Sequence, residues 1–309
     1  MISWQCLIPE NQQVEFLVVV GPTASGKSAL AMQLAQAFNG ALVCCDSVQL
    51  YRGFDIGSAK PSVSEQRLVP HYLYDALSWE QPCDAAIYAD MAKQAIRSIR
   101  EAGQLPIVVG GTGLYLRALL GDAWDDDVPS DEELRKKLNS RSSEDLFAEL
   151  LRIDPRRAGQ LHQNDRFRVV RALEINILTG RPVPSVSRAE PAQRSHLAVF
   201  LNPPRAMLHA RINQRTKEML AAGVVQEVRQ LISQGVDPRC KPMQAIGYKQ
   251  VVAMIQGDLD DMNLEDEIAT ATRQYAKRQV TWFKKVPADA VIDDLSDADE
   301  LLKLISANI

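Results

Sequence analysis

The chain has 309 residues, of which 46% are hydrophobic and 24% charged, and its formal net charge is −4. This composition is that of a folded globular protein and excludes an intrinsically disordered chain. No stretch approaches the roughly 18 apolar residues that span a bilayer, and residues 1–13 lack the basic and apolar regions of a secretory signal. The cysteines form no CxxC pair, which favours reduced thiols and predicts a cytoplasmic protein.

Short apolar runs alternate with helical patterns along most of the chain. Strands are predicted at residues 15–20, 41–45, 105–109, 197–201 and 290–292, and helices at residues 27–38 and 84–102. The apolar runs are short, and several of them stop at a glycine or an aspartate, as buried strands do. Strands that alternate with helices predict an α/β fold, in which helices flank a parallel sheet.

The segment 122–193 differs from the rest because it contains no convincing strand. Its apolar residues follow helical spacing, as in Leu146, Leu150 and Ile153 and again in Val170, Leu173 and Ile177. We therefore predict an α/β core from residues 1–121 and 194–309, interrupted by an inserted all-helical domain from residues 122–193.

A phosphate-binding motif lies between the first predicted strand and the first predicted helix. Its residues fit the P-loop pattern G-x-x-x-x-G-K-[ST]: Gly21, Pro22, Thr23, Ala24, Ser25, Gly26, Lys27 and Ser28. The glycines let backbone N–H groups face one concavity, and the following helix adds its unpaired donors. Lys27 supplies a positive charge, and the Ser28 hydroxyl can ligate Mg2+. The motif predicts a P-loop NTPase-like core that binds a polyphosphate, without specifying which one.

The position of the nearest acid sets the chain apart from common P-loop enzymes. Kinases and NTPases place an acidic residue after a second strand to organise magnesium, but residues 110–115 (GGTGLY) contain no acid. The acid is instead Asp46, after the strand at 41–45. Because the carboxyl ends of parallel strands line one crevice, we expect the P-loop, Asp46 and Thr112 to converge there. Asp46 could hold magnesium through water, accept a proton from a nucleophile, or cap a turn.

Basic residues are concentrated in two segments despite the negative net charge. One is 268–288, which holds five lysines and arginines and no acid, and the other lies between Arg152 and Arg171. A segregated charge distribution can attract a polyanion locally. Solvated helix faces would give the same pattern, so charge alone leaves both interpretations open.

An ordered set of motifs resembles the tRNA dimethylallyltransferases of bacterial type, also called tRNA isopentenyltransferases. The motifs are GPTASGKS at 21–28, DSVQLYRGFDIGSAKP at 46–61, GGTGLY at 110–115, Asn164-Asp165 with Arg168 and Arg171-Ala-Leu-Glu174, QAIGY at 244–248, and Arg273 with KRQVTW at 277–282. Together they span residues 21 to 283, nearly the whole chain. Bacterial relatives often carry threonine where this chain has Ser28, but the hydroxyl is retained.

The resemblance implies a reaction and a catalytic set. The dimethylallyl group of dimethylallyl diphosphate would be transferred to the N6 amine of adenosine 37 in tRNA, with release of diphosphate and with Mg2+ as cofactor. Asp46 would accept the proton of the amine, Thr112 would hydrogen-bond the bridging oxygen or the amine, and Arg215 would contact the diphosphate. Arg215 shares a helix face with Arg211, although such a pair could equally be a surface ion-pair face.

The resemblance also implies the partners and an RNA-binding surface. The partners would be the tRNA anticodon stem-loop and dimethylallyl diphosphate, the chain would act as a monomer, and no membrane would be involved. The expected tRNA contacts are Asp46, Ser47, Val48, Gln49, Thr112, Arg135, Phe167, Arg168, Val169, Val170, Arg171, Gln244, Ala245, Ile246, Gly247, Tyr248, Lys249, Lys277, Arg278, Gln279, Val280, Thr281, Trp282, Phe283 and Lys284. Trp282 and Phe283 could instead be buried in the core, with lysines and arginines outside.

Two other kinds of protein fit parts of the pattern. One is a small-molecule enzyme, either a nucleotide kinase or an isopentenyltransferase that acts on free adenine nucleotide. Such transferases share the P-loop and the early aspartate but have less need of a helical insertion and a basic C-terminal segment. The other is a P-loop RNA-binding or regulatory ATPase, which would hydrolyse ATP or GTP and release no prenylated product.

Overall fold

A computed structural model describes residues 3–4, 14–121, 131–181, 195–294 and 298–306. The chain divides into two compact units. The core unit comprises Met1–Leu119 and Ala192–Ile309, and the helical unit comprises Leu120–Pro191. Within the described residues, no helix is long and apolar enough to cross a membrane.

The core unit contains a seven-stranded sheet in the order β1-β7-β6-β2-β5-β3-β4. The strands are β1 (Ser3–Trp4), β2 (Phe16–Val20), β3 (Gly40–Cys45), β4 (His71–Tyr72), β5 (Leu105–Gly110), β6 (His196–Leu201) and β7 (Ala290–Ile292). Six of them run parallel, which confirms the predicted parallel sheet. The remaining strand, β1, pairs with β7 in the antiparallel direction.

Thirteen helices lie among the described residues. They are α1 (Lys27–Ala37), α2 (Val63–Leu68), α3 (Ala85–Glu101), α4 (Gly113–Leu119), α5 (Glu132–Asn139), α6 (Ser143–Ile153), α7 (Pro155–Ala158), α8 (Arg166–Thr179), α9 (Arg205–Ala221), α10 (Val224–Ser233), α11 (Tyr248–Gln256), α12 (Leu264–Phe283) and α13 (Ala298–Ser306). Short 3-10 turns cover Pro242–Gln244 and Asp261–Asn263. Helices α5 to α8 belong to the helical unit and the others to the core unit.

The hydrophobic core explains why the short apolar runs form central strands. Every residue of β2 and of β3 is buried, because strands of a parallel sheet are covered on both faces. Helix α1 packs Leu30 and Leu34 onto this sheet. Helix α3 begins at the Asp84 cap, whose carboxylate accepts from the Ile87 amide. Its Tyr88 ring stacks on Tyr115 with centroids 4.3 Å apart.

The strand register brings the predicted motifs to one edge of the sheet. Gly110 at the end of β5 pairs with both Val20 of β2 and Cys45 of β3. The residues that follow these three strands are therefore neighbours. They begin the P-loop, the Asp46 turn and the Gly111–Thr112 segment, so the expected convergence of the three segments is observed.

The helical unit has its own small core, with Leu138, Leu146, Leu150 and Leu173 at its centre. The helical spacing correctly predicts most of these positions. Ile177 is an exception, because its side chain is 48% exposed near the end of α8. The stripe of apolar residues thus stops one turn earlier than the sequence spacing predicts.

Candidate active site

The P-loop adopts a curled backbone at the start of α1. Gly26 has a φ of 98° and Ala24 a φ of 61°, so two residues lie in the left-handed region. Gly21 approaches the neighbouring strand so closely that a Cβ atom would lie 2.7 Å from the Leu201 carbonyl oxygen. The Ala24 side chain packs against an apolar cluster from α9 and α12. The loop is therefore held in a concave form by residues far from it in the sequence.

Lys27 lies at the first position of α1 and points back over the loop. Its Nζ donates to the Pro22 carbonyl oxygen at 3.3 Å. Burial, with a smaller contribution from Arg215 and against the pull of Asp46, lowers the pKa of Lys27 from 10.5 to about 8. A bound anion would stabilise the protonated form of Lys27, because its charge would compensate for the solvation lost on burial. Ser28 follows and is exposed.

Asp46 both shapes a turn and faces a cavity. Its Oδ1 accepts from the Val48 amide at 2.9 Å and from the Gln49 amide at 3.4 Å. These bonds fix the carboxylate, and the side chain also lines the cavity described below. The turn-capping role that the sequence left open is thus real, and it leaves Oδ2 without a hydrogen bond among the described residues.

Thr112 supports the same turn from β5. Its Oγ1 accepts from the Ser47 amide at 3.1 Å, and its own amide donates to the Cys45 carbonyl oxygen at 3.2 Å. The hydroxyl still has its own proton to donate. Thr112 therefore lies next to the Asp46 turn, but it is not among the residues that line the cavity.

Two arginines of α9 contact the P-loop. Arg215 donates from Nη1 to Thr23 Oγ1 and from Nη2 to the Ser58 carbonyl oxygen, both at 3.3 Å. Arg211 donates to the Ser25 carbonyl oxygen at 3.1 Å. Burial lowers the pKa of Arg215, although Asp46 acts in the opposite direction. The pair thus serves the loop, and the surface ion-pair interpretation is wrong for Arg215.

These groups border a cavity of about 350 Å³. Its lining combines polar groups, among them Asp46, Arg215 and Thr23, with apolar side chains, among them Met219 and Ile268. The full lining is Thr23, Asp46, Ser47, Val48, Gly57, Ser58, Ile212, Arg215, Thr216, Met219, Gln244, Ala245, Ile246, Tyr248, Ile268, Thr272, Tyr275 and Arg278. Sequence reasoning named Ala245, Ile246 and Tyr248 as contacts but missed the apolar lining from α9 and α12, because apolar residues at helical spacing on those helices look like ordinary core positions.

Gln279 joins the P-loop to the segment after β5. Its Oε1 accepts from the Thr23 amide at 2.8 Å, and its Nε2 donates to the Gly111 carbonyl oxygen at 2.9 Å. A Cβ at Gly111 would lie 2.4 Å from Nε2, so a larger residue there would displace the Gln279 carboxamide. The Gln279 side chain is 6% exposed. The expectation that it contacts tRNA is therefore corrected, since it bridges two loops inside the core unit.

Other expected tRNA contacts are also buried. Phe283 is 1% exposed and packs against Phe200 with ring centroids 5.8 Å apart. Trp282 is half-buried, with its indole against Gly113 and under the Arg117 guanidinium. The core interpretation thus holds for Phe283. The side chains of Val169, Val170 and Tyr248 are likewise buried and cannot meet an RNA surface in this conformation.

Gly247 is buried as well, and the remaining expected contacts divide between exposed and half-buried positions. Those exposed at the surface are Phe167, Arg168, Gln244, Lys249, Lys277, Arg278, Thr281 and Lys284. Phe167 is 78% exposed, an unusual state for a large aromatic side chain. Helix α12 accordingly carries its cations on the outside while Ala276, Gln279 and Phe283 face inwards.

Arg135 and Arg171 are committed to an internal ion pair of the helical unit. Glu174, whose side chain is 0% exposed, accepts two hydrogen bonds from Arg135, at 2.8 and 2.9 Å, and one from Arg171 at 2.6 Å. Its carboxylate also accepts from the Asp131 amide at 2.8 Å. Burial alone would raise the pKa of Glu174, but the arginine hydrogen bonds bring it below its usual value. Both arginines were expected on the tRNA surface, and the structure gives them this internal role.

No group of three or more His, Cys, Asp or Glu side chains that could hold a metal ion occurs within the described ranges. Cys44, Cys45, Cys83 and Cys240 are free thiols, the first three of them buried.

Comparisons with known proteins agree with the motif pattern. Residues 49–286 match the family model described as IPP transferase. A relative from Trichlorobacter lovleyi, named tRNA dimethylallyltransferase 1, is 48% identical over 279 residues, which cover 88% of this chain and 91% of the relative. The crystal structure of the full-length tRNA isopentenylpyrophosphate transferase from Bacillus halodurans superposes with a TM-score of 0.69 at 36% identity, covering 95% of this chain and 96% of that one. A eukaryotic dimethylallyltransferase acting on tRNA gives a TM-score of 0.74 at 28% identity, covering 97% and 73%.

Proposed function

The chain belongs to the IPP transferase family, the tRNA dimethylallyltransferases, and from that premise we propose that it prenylates the N6 amine of adenosine 37 in tRNA. The donor is dimethylallyl diphosphate, and diphosphate is released. The chain is thus a prenyltransferase whose nucleic-acid substrate is tRNA, and the finer assignment concerns the atom modified and the residues that act on it.

One observation carries this proposal. A single cavity is bordered by the Asp46 carboxylate, the Arg215 guanidinium, the Thr23 end of the P-loop and an apolar wall from α9, α11 and α12. A prenyl diphosphate has an anionic end and a hydrocarbon end, and the cavity lining offers both a buried guanidinium and apolar side chains.

The chemistry assigned to these residues follows the charges that develop in the reaction. Breaking the carbon–oxygen bond of the donor moves negative charge onto the diphosphate. Lys27, Arg215 and the backbone amides of the P-loop are fixed in advance where that charge would be stabilised. The amine nitrogen forms the new carbon–nitrogen bond and loses a proton, which Asp46 accepts through its free oxygen. Thr112 holds the turn that orients Asp46.

The residues present fit a magnesium ion that arrives with the diphosphate. Mg2+ prefers oxygen ligands and is commonly held by one or two protein oxygens together with substrate phosphates and water. The exposed Ser28 hydroxyl at the start of α1 is such an oxygen. Bound there, the ion would neutralise charge on the leaving diphosphate.

The tRNA surface proposed for the chain is smaller than the sequence suggested. Candidates in the core unit are the exposed Lys277 and Arg278 of α12 and Lys284 just after that helix. Candidates in the helical unit, taken by itself, are the exposed Phe167 and Arg168. Aromatic rings and cations are the groups that recognise unpaired bases and phosphates in RNA loops. The target adenine lies in the anticodon loop and must turn out of its stack to reach Asp46, at a cost of a few kcal/mol.

We also propose that the chain acts as a monomer, that it works in the cytoplasm, and that it recognises the anticodon stem-loop of the tRNA. The buried free thiols support a reducing compartment.

A product assay tests the function directly. The protein is incubated with labelled dimethylallyl diphosphate, Mg2+ and either unmodified tRNA or AMP. We expect label in tRNA, and nuclease digestion with mass spectrometry should place it on adenosine 37. Label in AMP would identify a free-nucleotide transferase. Hydrolysis of ATP or GTP without transfer of label would identify a P-loop NTPase.

Substitution of Asp46 tests the proposed proton acceptor. Asp46→Asn retains an oxygen that can accept from the Val48 and Gln49 amides, but an amide is a poor base. We expect the single-turnover rate to fall by about 10²–10⁴-fold, while the affinity for inorganic pyrophosphate stays unchanged. Asp46→Ala, which also removes the turn contacts, separates the two roles. An unchanged single-turnover rate in Asp46→Asn would remove Asp46 from the chemistry.

A further inference from the structure

Glu227 on α10 binds three successive backbone amides of the loop that follows Phe54. Its Oε2 accepts from the Asp55 amide at 3.2 Å and from the Ile56 amide at 2.7 Å, and its Oε1 accepts from the Gly57 amide at 3.3 Å. Consecutive N–H groups that face one concavity form an anion-binding nest. Here the anion is a carboxylate of the same chain, encoded about 170 residues later.

A fourth donor completes the arrangement. The Tyr248 hydroxyl donates to Glu227 Oε1 at 2.6 Å, and burial together with the adjacent Glu227 raises the pKa of that hydroxyl, which keeps it protonated. The Tyr248 ring lies against Gly57, where a Cβ atom would come within 2.6 Å of the ring. The carboxylate thus fixes the loop to both α10 and α11.

The residue after the nest connects this loop to the cationic side of the cavity. The Ser58 carbonyl oxygen accepts from Arg215 Nη2 at 3.3 Å and from Gln49 Nε2 at 2.9 Å. The other nitrogen of the Arg215 guanidinium donates to Thr23 Oγ1. The guanidinium is therefore held between two fixed acceptors, one of them on the P-loop and the other on the loop that Glu227 anchors.

We infer that Glu227 is a positioning residue for Arg215: by anchoring residues 55–57, it places the Ser58 carbonyl that aims the guanidinium at the diphosphate. This inference rests on the proposed contact between Arg215 and the diphosphate. A long, charged side chain has many rotamers, and fixing it before the substrate binds lowers the entropy lost on binding. Glu227 itself does not line the cavity.

Substitution of Glu227 by glutamine gives the first test. In the present protein, four donors bond the two oxygens of the Glu227 carboxylate. A glutamine side chain has only one acceptor oxygen, so at least one loop amide loses its partner. We expect the Kd for inorganic pyrophosphate and the KM for dimethylallyl diphosphate each to rise by about tenfold, while the KM for tRNA stays unchanged. Asp90→Asn, which removes one exposed carboxylate of α3, is the control and should leave all three constants as they are.

A double-mutant cycle shows whether Glu227 acts through Arg215. The pyrophosphate Kd is measured by calorimetry for wild type, Glu227→Gln, Arg215→Ala and the double variant. If Glu227 acts through the guanidinium, its substitution should have no further effect once Arg215 is alanine. Additive effects would overturn the inference, because they would mean that Glu227 supports the fold without directing Arg215.

A milder variant covers the case in which Glu227→Gln does not fold. Tyr248→Phe removes only one donor to the carboxylate and should raise the pyrophosphate Kd by about threefold, again only when Arg215 is present. If wild-type protein prenylates tRNA but both variants bind pyrophosphate as wild type does, the inference fails and the proposed function stands. If wild-type protein does not prenylate tRNA, the proposed function itself fails.

Discussion

The Gln279 carboxamide matches the polarity of its two partners, since its oxygen meets an N–H group and its nitrogen meets a carbonyl oxygen. The residue lies in a basic, aromatic segment that the sequence assigned to RNA contact. Its position three residues after Ala276 and four before Phe283 places it on the buried face of α12. Helical spacing could therefore have identified it as an interior residue, but it could not have named its partners in two distant loops.

Gln279→Glu should destabilise the protein because a carboxylate cannot donate to the Gly111 carbonyl oxygen. Leaving that buried acceptor unpaired and placing charge beside it should reduce the free energy of unfolding by about 1–3 kcal/mol or more. Urea denaturation measures the change. Gln274→Glu, at an exposed position of the same helix, provides the matched control and should differ little from wild type. Equal stability of the two variants would contradict the bridging role.

The lowered pKa of Lys27 predicts a pH dependence of substrate binding. The protonated amine binds the diphosphate, and the free protein loses that proton above about pH 8. The KM for dimethylallyl diphosphate should therefore about double between pH 7 and 8 and then approach a rise of about tenfold per pH unit. Burial raises the pKa of the nearby Cys45 thiol to about 12, so that thiol stays neutral over the range.

Lys27→Arg is the control for this pH dependence, because arginine stays protonated throughout. Its affinity for the diphosphate can be lower overall, but its KM should not change between pH 7 and 10. A rising KM in Lys27→Arg that matches wild type would assign the titration to another group.

At the scale of elements, the helical unit depends on Glu174 of α8, whose ion pair with Arg135 joins α5 to α8. Glu174 is fully buried and accepts hydrogen bonds from both Arg135 and Arg171 as well as from the Asp131 amide. The sequence pattern contains Arg171 and Glu174 within one motif, and Arg135 lies well before it. It could not distinguish a basic surface from an internal pair, because the pairing depends on how α5 and α8 are packed together.

Glu174→Gln should loosen the helical unit. Removing the charge leaves two guanidinium groups without their anionic partner. Because both guanidinium groups are partly exposed, we expect the free energy of unfolding of the helical unit to fall by about 3 kcal/mol, near the lower end for buried ion pairs. Hydrogen exchange of the α5 and α8 amides in the full chain measures the change. Glu133→Gln removes an exposed pair with Lys136 and should alter protection by less than about 0.5 kcal/mol. Similar exchange in both variants would contradict a stabilising role for the Glu174 ion pairs.

The sequence predicted some elements better than others, for physical reasons. Strands β2, β3 and β5 were predicted because each is a short apolar run followed at once by a glycine or aspartate motif. The two-residue strands β1 and β4 were not predicted, because a pair of residues has no periodicity. The apolar wall of the cavity was also missed, since whether Met219 or Ile268 faces a cavity or a core depends on tertiary packing.

For the whole molecule, the arrangement of charge matters more than its sum. The net charge is −4, yet Lys277 and Arg278 lie exposed on α12 and Lys284 lies exposed just after it, while the inner face of the helix holds the P-loop through Gln279. The same helix borders the cavity with Tyr275 and Arg278.

The salt dependence of tRNA binding follows from this arrangement. Phosphate contacts release counterions, so the logarithm of the association constant should fall linearly with the logarithm of salt concentration. Lys277→Ala should weaken binding across tRNA sequences and reduce that slope by about one. Lys93→Ala, at an exposed position of α3, should leave the slope unchanged. Filter binding or fluorescence anisotropy over a salt series gives both values, and a slope near zero for wild type would argue against the basic surface.

The backbone of Ala24 has a consequence for how the diphosphate cradle arises. A non-glycine residue with a φ of 61° is strained, by about 1–2 kcal/mol, and the Ala24 side chain is held against Leu208, Ile212 and Ala276. Packing against helices α9 and α12 therefore offsets the strain and holds the loop in its curved form. The eight-residue motif transplanted alone into another strand–helix junction would lack this packing and should bind diphosphate poorly.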